Sequence, residues 1–166
     1  MPEPLRAKVL VLSDAAAAGR REDRSGQAVR DFLALHGWNV LELKILPDEF
    51  GAIQQELKAW SDSESCDAIL TTGGTGLGPR DFTPEATRAV LEREAPGLAE
   101  LMRAEGIRKT RRAALSRGPA GSRGRTLIVN LPGSVRSAIE SLESIADLLP
   151  HAISLIQGHT EHPGSP

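Results

Sequence analysis

The chain has 166 residues, of which 40% are hydrophobic and 25% are charged, and its net charge at pH 7 is −2. A chain of this length is typical of one domain with its own core, so we expect a single domain over residues 1–166. The negative charge and an aromatic content of 3% disfavour a nucleic-acid surface. No apolar run reaches the roughly 20 residues that a membrane-spanning helix needs. The N-terminus lacks a signal-peptide pattern, so we expect a cytoplasmic protein that binds neither membrane nor nucleic acid.

Strand-like and helix-like segments alternate along the chain. Short runs rich in Val, Ile and Leu predict strands at 8–13, 40–46, 68–72 and 126–131. Helical spacing and end signals predict helices at 27–36, from about 51 to 60, 83–93, 97–107, 135–149 and 150–157. This alternation predicts an α/β fold in which a mostly parallel sheet is covered by helices on both faces. We expect its core at about 7–157 and a loose tail at 158–166.

Ligands of such sheets bind beyond the carboxyl ends of the strands, where the loops lie. Four predicted loops occupy that position, at 13–26, 47–51, 73–83 and 132–134. The last of them, in the motif NLPGS, offers Ser134 as a helix N-cap, and its Pro-Gly pair can present backbone to a flat ring. We therefore expect the functional residues to lie in these loops.

The loop in TTGGTGLGPRDFTPE, residues 71–85, is dense in glycine. It contains Gly73, Gly74, Gly76 and Gly78. Glycine lets backbone amides approach a ligand closely, and amides that precede a helix attract phosphate. The loop is not a P-loop, because no Gly-Lys-Ser/Thr follows, and Pro79 stands where the dinucleotide fingerprint has its third glycine. The spacing predicts an anion-binding or ligand-binding loop.

Two aspartates in these loops each have a structural and a functional interpretation. Asp81 could form a turn or an ion pair with Arg80, or it could bind magnesium or position a phosphate. Asp48 could cap the helix that starts near Gly51, or it could be a second carboxylate that faces the same ligand. Nucleotide sites commonly hold Mg²⁺ by one or two carboxylates together with phosphate oxygens. The residues alone leave both alternatives open.

The segment 103–125 is strongly basic, with eight Lys or Arg residues and one acid, Glu105. A solvated basic face is one explanation, and a site for an anionic small molecule is the other. The short motif LSRGPAGSRGR within it is rich in glycine and arginine, which suits phosphate contacts.

The motifs VLSD…DRSG, ILPDE, TTGGTGLGPRDFTPEAT, LSR and LIVNLPGS occur in this order, and together they resemble the MoaB/Mog family of molybdenum cofactor biosynthesis. The resemblance extends over about 8–157. PRDFTPEAT is more similar to the Mog-type molybdopterin adenylyltransferases than to the MoaB-type paralogues.

The resemblance implies a three-layer α/β sandwich that forms a homotrimer. It implies a Mg²⁺-dependent transfer of AMP from ATP to the phosphate of molybdopterin, with release of pyrophosphate and hand-over of the product to a molybdenum insertase. Two other functions stay open: a molybdopterin-binding carrier without adenylyl transfer, and a non-enzymatic interaction module that uses the basic segment. Whether the end product carries molybdenum or tungsten is also open.

Residue by residue, the resemblance implies that Asp48 and Asp81 are the catalytic and metal-binding aspartates. The positions implied to bind substrate are Ser13, Asp14, Thr72, Gly73, Gly74, Thr75, Gly76, Ser116, Arg117, Asn130, Pro132, Gly133 and Ser134. The resemblance does not divide metal binding and substrate orientation between the two aspartates, or assign loops to pterin and nucleotide. Family members often carry Arg after the Ser-Asp of the first loop, where this chain has Ala15, and we expect Arg20 or Arg21 to replace it.

Overall fold

The computed structural model describes residues 2–159. Its strands are Arg6–Leu12 (β1), Asn39–Leu46 (β2), Ala68–Thr72 (β3), Arg93–Glu94 (β4), Ala120–Arg123 (β5) and Thr126–Leu131 (β6). Its α-helices are Asp14–Ala17 (α1), Ser25–Leu35 (α2), Phe50–Asp62 (α3), Thr83–Val90 (α4), Pro96–Lys109 (α5), Val135–Ile145 (α6) and Leu149–Ile156 (α7). Most of the tail expected at 158–166 lies outside the described residues. Between residues 2 and 159, every helix is too short or too polar to cross a bilayer.

The strands form one six-stranded sheet in the order β2-β1-β3-β6-β5-β4. The four predicted strands pair in parallel, whereas β5 pairs antiparallel with β6 and β4 pairs antiparallel with β5. The mostly parallel sheet is therefore confirmed, and the antiparallel edge was missed. Neither β4 nor β5 contains an apolar run. Their pairing depends on Gly121, where a Cβ would lie 2.2 Å from the carbonyl oxygen of Arg93.

Side chains of the sheet alternate between two cores, one on each face. In β1, Val9 and Val11 pack against α2, α5, α6 and α7, whereas Leu10 and Leu12 pack against α3 and α4. β6 follows the same alternation, with Ile128 on the second face. Helices thus cover the sheet on both faces, as the continuous apolar strands predicted, and the three-layer architecture is confirmed.

The helix predicted at 135–149 is interrupted. α6 ends at Ile145, a 3₁₀ turn spans Ala146–Leu148, and α7 begins at Leu149. Pro150 explains the break, because it has no N–H to donate to the carbonyl of residue 146 and its ring clashes with a straight helix at that point. The apolar spacing continues through the break, so periodicity alone did not reveal it.

Candidate functional site

The four predicted loops meet at one edge of the sheet. The amide of Ser13 donates a hydrogen bond to the carbonyl of Leu46 at 3.0 Å, which joins the ends of β1 and β2. The amide of Gly73 donates to the carbonyl of Leu131 at 3.2 Å, which joins the ends of β3 and β6. The glycine loop, defined here as residues 73–82, follows β3. Because β3 pairs with β1 and β6, this loop lies between the loops that follow those two strands.

Gly73 and Gly74 turn the chain in a way that requires glycine. Their φ angles are +95° and +67°, which side chains rarely tolerate. A Cβ at Gly73 would lie 2.3 Å from a carbonyl oxygen at the end of β1, and a Cβ at Gly74 would lie 2.3 Å from Thr83 Oγ1. In the described part of the chain, the amides of Gly74, Thr75 and Gly76 donate no hydrogen bond. The turn therefore presents amides that can receive an anion.

Asp14 and Asp48 are joined to each other and to Arg80. The amide of each aspartate donates to the carboxylate of the other at 3.0 Å. Arg80 donates from Nε and Nη2 to the two carboxylate oxygens of Asp14, and these hydrogen bonds lower the pKa of Asp14. Two structural interpretations are therefore wrong: Asp48 does not cap α3, whose N-cap is Glu49, and Arg80 pairs with Asp14 instead of Asp81.

One carboxylate oxygen of Asp48, Oδ1, is buried without a hydrogen-bond partner. It lies beside Gly74, as does Thr83 Oγ1, which is also buried and unpartnered. Burial raises the pKa of Asp48, and the negative charges of Asp14 and Asp81 raise it further. A cation would relieve each of these penalties, so Asp48 fits Mg²⁺.

Such a cation would need ligands from outside the chain. Over residues 2–159, no group of three or more His, Cys, Asp or Glu side chains forms a metal centre. This arrangement matches Mg²⁺, which keeps several waters and is usually bound through one or two carboxylates and substrate phosphates.

Asp81 and the glycine loop are held by local contacts and by Arg117. Asp81 Oδ2 accepts a hydrogen bond from the amide of Gly78 at 2.8 Å, so the aspartate does support a turn. Arg117 donates from Nε to the carbonyl of Gly76 at 2.7 Å and from Nη2 to the carbonyl of Asp81 at 3.1 Å. Its Nη1 pairs with Glu85 in the first turn of α4, and this pairing lowers the pKa of Glu85. Arg117 therefore contacts the loop itself.

A cleft of about 230 Å³ lies between the glycine loop, α5 and α6, and we call it the α5 cleft. The predicted residues that line it are Thr75, Gly76, Ser116, Asn130 and Pro132. Both polar atoms of the Asn130 amide are buried without a partner. Met102 and Arg103 also line this cleft. An apolar wall with an unpartnered amide suits a ring that carries both hydrogen-bond donors and acceptors.

A second cleft, of about 600 Å³, lies at the carboxyl edge of the sheet next to the starts of α2 and α6, and we call it the α2 cleft. The predicted residues that line it are Ser13, Thr72, Gly73, Gly133 and Ser134. Ser134 also caps α6, because its Oγ accepts from the amide of Ser137, as expected. Arg21 and Arg24 line this cleft as well, and Arg21 is one of the two residues expected to replace an arginine at position 15.

The structure thus divides the predicted residues into three groups. Ten line one cleft or the other. Asp48, Asp81 and Gly74 lie at the glycine loop between the clefts, and Asp14 and Arg117 support them. The basic segment is also divided, because Arg103 and Arg112 line the α5 cleft whereas Arg108 and Arg111 do not.

Three residues of the site were missed. Thr83 and Arg80 stand within the quoted glycine-loop motif, but from the sequence Thr83 is assigned no functional role and Arg80 only an ion pair with Asp81. Asp23 stands in the quoted motif DRSG, and its Oδ2 is buried without a partner in the α2 cleft. All three residues belong to motifs that the sequence analysis quotes. Their contacts, however, depend on the directions of their side chains in the folded protein.

Comparisons with known proteins place the chain among proteins of molybdenum cofactor synthesis. The family model described as a probable molybdopterin binding domain matches residues 8–151. The molybdopterin adenylyltransferase of Helicobacter pylori strain J99 is 42% identical over 153 residues, which cover 91% of this chain and 87% of that protein. The molybdenum cofactor synthesis protein cinnamon of Drosophila melanogaster is 48% identical over 149 residues, 89% of this chain, but the match spans only 25% of that longer protein.

A solved structure supports the same relationship. The molybdopterin biosynthesis enzyme MoaB of Thermus thermophilus superimposes with a TM-score of 0.88 at 55% identity, covering 93% of this chain and 97% of that one.

Proposed function

The chain belongs to the family described as a probable molybdopterin binding domain, and on that premise we propose that it is a molybdopterin adenylyltransferase. One observation carries the proposal: a glycine loop with unpaired amides lies between two clefts and beside two aspartates. Two reactants that bind in the two clefts would meet at this loop. The activity named for relatives such as the Helicobacter pylori enzyme supports the reaction class.

In the proposed reaction, an oxygen of the terminal phosphate of molybdopterin attacks the α-phosphorus of ATP. A new P–O bond forms, and the bond between the α-phosphorus and the bridging oxygen breaks, with its electron pair leaving on pyrophosphate. Both reactants are anions, so the protein must orient them and offset their repulsion; it needs no side-chain nucleophile. The amides of Gly74, Thr75 and Gly76 are placed to donate to phosphate oxygens.

We assign Asp48 and Asp81 as the residues that would hold Mg²⁺. When bound, Mg²⁺ supplies positive charge that offsets the charge of the phosphates in the transition state. Asp48 contributes the buried, unpartnered Oδ1, and Asp81 approaches the same loop from the side of Gly76 and Gly78. The reciprocal hydrogen bonds with Asp14 hold the Asp48 carboxylate in place before substrate arrives.

The remaining predicted residues are assigned by their cleft. Ser13, Thr72, Gly73, Gly133 and Ser134 would bind the reactant in the α2 cleft. The residues that would bind the other reactant, in the α5 cleft, are Thr75, Gly76, Ser116, Asn130 and Pro132. With this division, the transferred group would lie at the glycine loop.

The direct test incubates purified protein with molybdopterin, MgATP and excess pyrophosphatase, and measures adenylylated pterin by mass spectrometry. We expect a product that forms with the protein and disappears when Mg²⁺ is chelated. Molybdopterin that binds without any adenylylated product would overturn the proposal. If the same amount of product formed in the presence of chelator, the proposal of an adenylyltransferase would stand and the proposed role of Mg²⁺ would be rejected.

A second candidate function is a molybdopterin carrier that performs no transfer. One observation favours it: the structure that is 55% identical is named as a MoaB enzyme and not as an adenylyltransferase. A carrier would bind molybdopterin with the same affinity whether or not ATP is present. An adenylyltransferase would bind ATP as well, which isothermal titration calorimetry with a non-hydrolysable ATP analogue would detect.

We also propose that the protein acts in the cytoplasm as a homotrimer that passes its product to a molybdenum insertase. The family resemblance supports these three properties. Light scattering on the purified protein tests the trimer, which would have three times the 17.7 kDa of one chain.

A further inference from the structure

Two arginines beside the proposed catalytic centre donate their hydrogen bonds into the protein. Arg80 contacts Asp14 and the backbone of Asp48, and Arg117 contacts the glycine loop, including the backbone of Asp81. We propose that Arg80 and Arg117 are positioning residues, each of which holds one of the two catalytic aspartates in its reactive geometry. This role differs from the substrate contact that the family resemblance implied for Arg117.

Arg80 joins three loops through one guanidinium group. Its Nε donates to Asp14 Oδ2 at 2.6 Å, and its Nη2 donates to Asp14 Oδ1 at 3.0 Å and to the carbonyl of Asp48 at 3.1 Å. Arg80 itself belongs to the glycine loop, Asp14 follows β1, and Asp48 follows β2. The bidentate pair with Asp14 fixes an orientation that a single charge could not. The loops after β1, β2 and β3 are therefore joined through one side chain.

Arg117 holds the glycine loop at two carbonyl groups. All three of its guanidinium nitrogens have partners within the chain: Gly76, Asp81 and Glu85. In addition, its backbone amide donates to the carbonyl of Thr75 at 2.9 Å. These contacts use three of its five N–H donors, so the guanidinium already holds the loop before any phosphate arrives. The geometry therefore favours a role in the free protein over one that begins when substrate binds.

The two arginines act on different aspartates of the same centre. Arg80 restrains Asp48 from the glycine loop, directly and through Asp14, and Arg117 restrains Asp81 from the segment before β5. Displacement of a catalytic group by about 1 Å can lower a rate about 100-fold, so restraint at both aspartates has a kinetic consequence.

Arg123 provides a matched control. It makes the same kinds of contact as Arg80, with a bidentate pair to Asp62 and one bond to the carbonyl of Val90. However, it lies where β5 turns into β6, at the opposite edge of the sheet from the glycine loop. Loss of its contacts should affect stability without affecting the reaction.

The test replaces each arginine with lysine, which keeps the charge but cannot make the bidentate and carbonyl contacts together. Hydrogen exchange of the ligand-free variants Arg80→Lys and Arg117→Lys is compared with the wild type and with Arg123→Lys. We expect the hydrogen-bonded amides of the loop and its end, those of Gly78, Asp81 and Thr83, to exchange at least about tenfold faster in Arg117→Lys. In Arg80→Lys we expect the same change for the amides of Asp14 and Asp48. Arg123→Lys should leave both regions unchanged.

Steady-state kinetics supplies the second readout. We expect kcat to fall about 10-fold to 100-fold in both site variants, while KM for ATP and molybdopterin changes less than about threefold. Unchanged exchange together with a tenfold rise in KM would show that the arginine binds substrate, and it would overturn the proposal for that residue.

Two further variants keep the test decisive if a lysine variant fails to fold. Asp14→Asn weakens the pair with Arg80, and Glu85→Gln weakens one contact of Arg117, while both arginines stay in place. We expect each to produce a smaller increase in exchange at the same amides, and no increase in either would overturn the proposal. The kinetic part rests on the proposed adenylyl transfer, but the exchange part does not. An inactive wild-type protein would therefore contradict the proposed function and leave the exchange measurement to decide the role of the arginines.

Discussion

Asp14 and Asp48 exchange hydrogen bonds, with the backbone amide of each donating to the carboxylate of the other at 3.0 Å. The exchange uses Oδ1 of Asp14 and Oδ2 of Asp48, so Asp48 Oδ1 stays unpartnered and buried beside Gly74. Two loops that are 34 residues apart in the chain are thereby joined, and one carboxylate oxygen is kept available at the proposed reaction centre.

Asp48→Asn should lose activity and gain stability. We expect turnover to fall at least about 100-fold, because the variant lacks the charge that a magnesium ion requires. The raised pKa of Asp48 means that the folded protein resists the charged form, so asparagine should raise Tm by about 2 °C at pH 7. The wild type regains this stability as the pH falls through the raised folded pKa toward the ordinary value. The difference in Tm should therefore shrink in acid.

Thermal melts of both proteins between pH 3 and pH 8, with and without Mg²⁺, check this prediction. Added Mg²⁺ should raise the Tm of the wild type only, because a ligand stabilises the state that binds it. An equal increase in the variant would place the cation elsewhere.

Asp81→Asn should abolish turnover and leave the fold intact. The asparagine carbonyl can still accept the hydrogen bond from the Gly78 amide, so the local turn is kept while the charge is lost. We expect kcat to fall about 100-fold or more with an unchanged circular dichroism spectrum. Full activity in this variant would remove Asp81 from the mechanism.

Gly74→Ala should damage both stability and activity. The new Cβ would lie 2.3 Å from Thr83 Oγ1 and 3.1 Å from Asp48 Oδ1, in a backbone conformation with φ of +67°. We expect a loss of about 1–3 kcal/mol in the free energy of unfolding, measured by urea denaturation. Gly97→Ala is the control, because a Cβ there meets nothing within 4 Å and alanine favours the helix. A loss as large in the control would show that glycine geometry at position 74 is not the cause.

Asn130→Leu should stabilise the protein while weakening ligand binding. Both polar atoms of the Asn130 side chain are buried without partners, which is unfavourable in the free protein. Leucine removes these atoms, and we expect a gain of about 1 kcal/mol in the free energy of unfolding. Binding of one of the two substrates, measured by calorimetry, should weaken at least about tenfold. A less stable variant with unchanged binding would contradict this prediction.

Asp67→Asn should remove part of the acid sensitivity of the fold. Burial alone would raise the pKa of Asp67, but hydrogen bonds from Arg6 and Gln157 outweigh it, and the net pKa is lowered. The stability from these contacts is fully present above the ordinary pKa of an aspartate and is lost as the pH falls through the lowered folded pKa. We expect the variant to lose about 1–3 kcal/mol at pH 7 and to differ little from the wild type near pH 2. Urea denaturation at both pH values measures it; an equal loss at both would exclude the ionised pair as the cause.

Much of the fold was predictable because the central parallel strands β1 and β6 are largely apolar runs. Val9 to Leu12 and Leu127 to Leu131 are buried on both faces, and that pattern is visible without any partner. The antiparallel strands β4 and β5 were not predictable, because they pair through the backbone around Gly121 and contain no apolar run.

The sequence by itself determined which loops are the candidates for the proposed chemistry. Glycine spacing and charged motifs marked the loops that contain Gly74, Asp48 and Asp81. These signals can be recognised from sequence because backbone freedom and helix starts depend on residues that are adjacent in the chain. Only the tertiary structure decided the partners. Arg80 is next to Asp81 in the chain but pairs with Asp14, and Arg117 contacts the backbone of Asp81 from 36 residues away. The directions of long side chains depend on the packing of distant strands, and no local pattern encodes them.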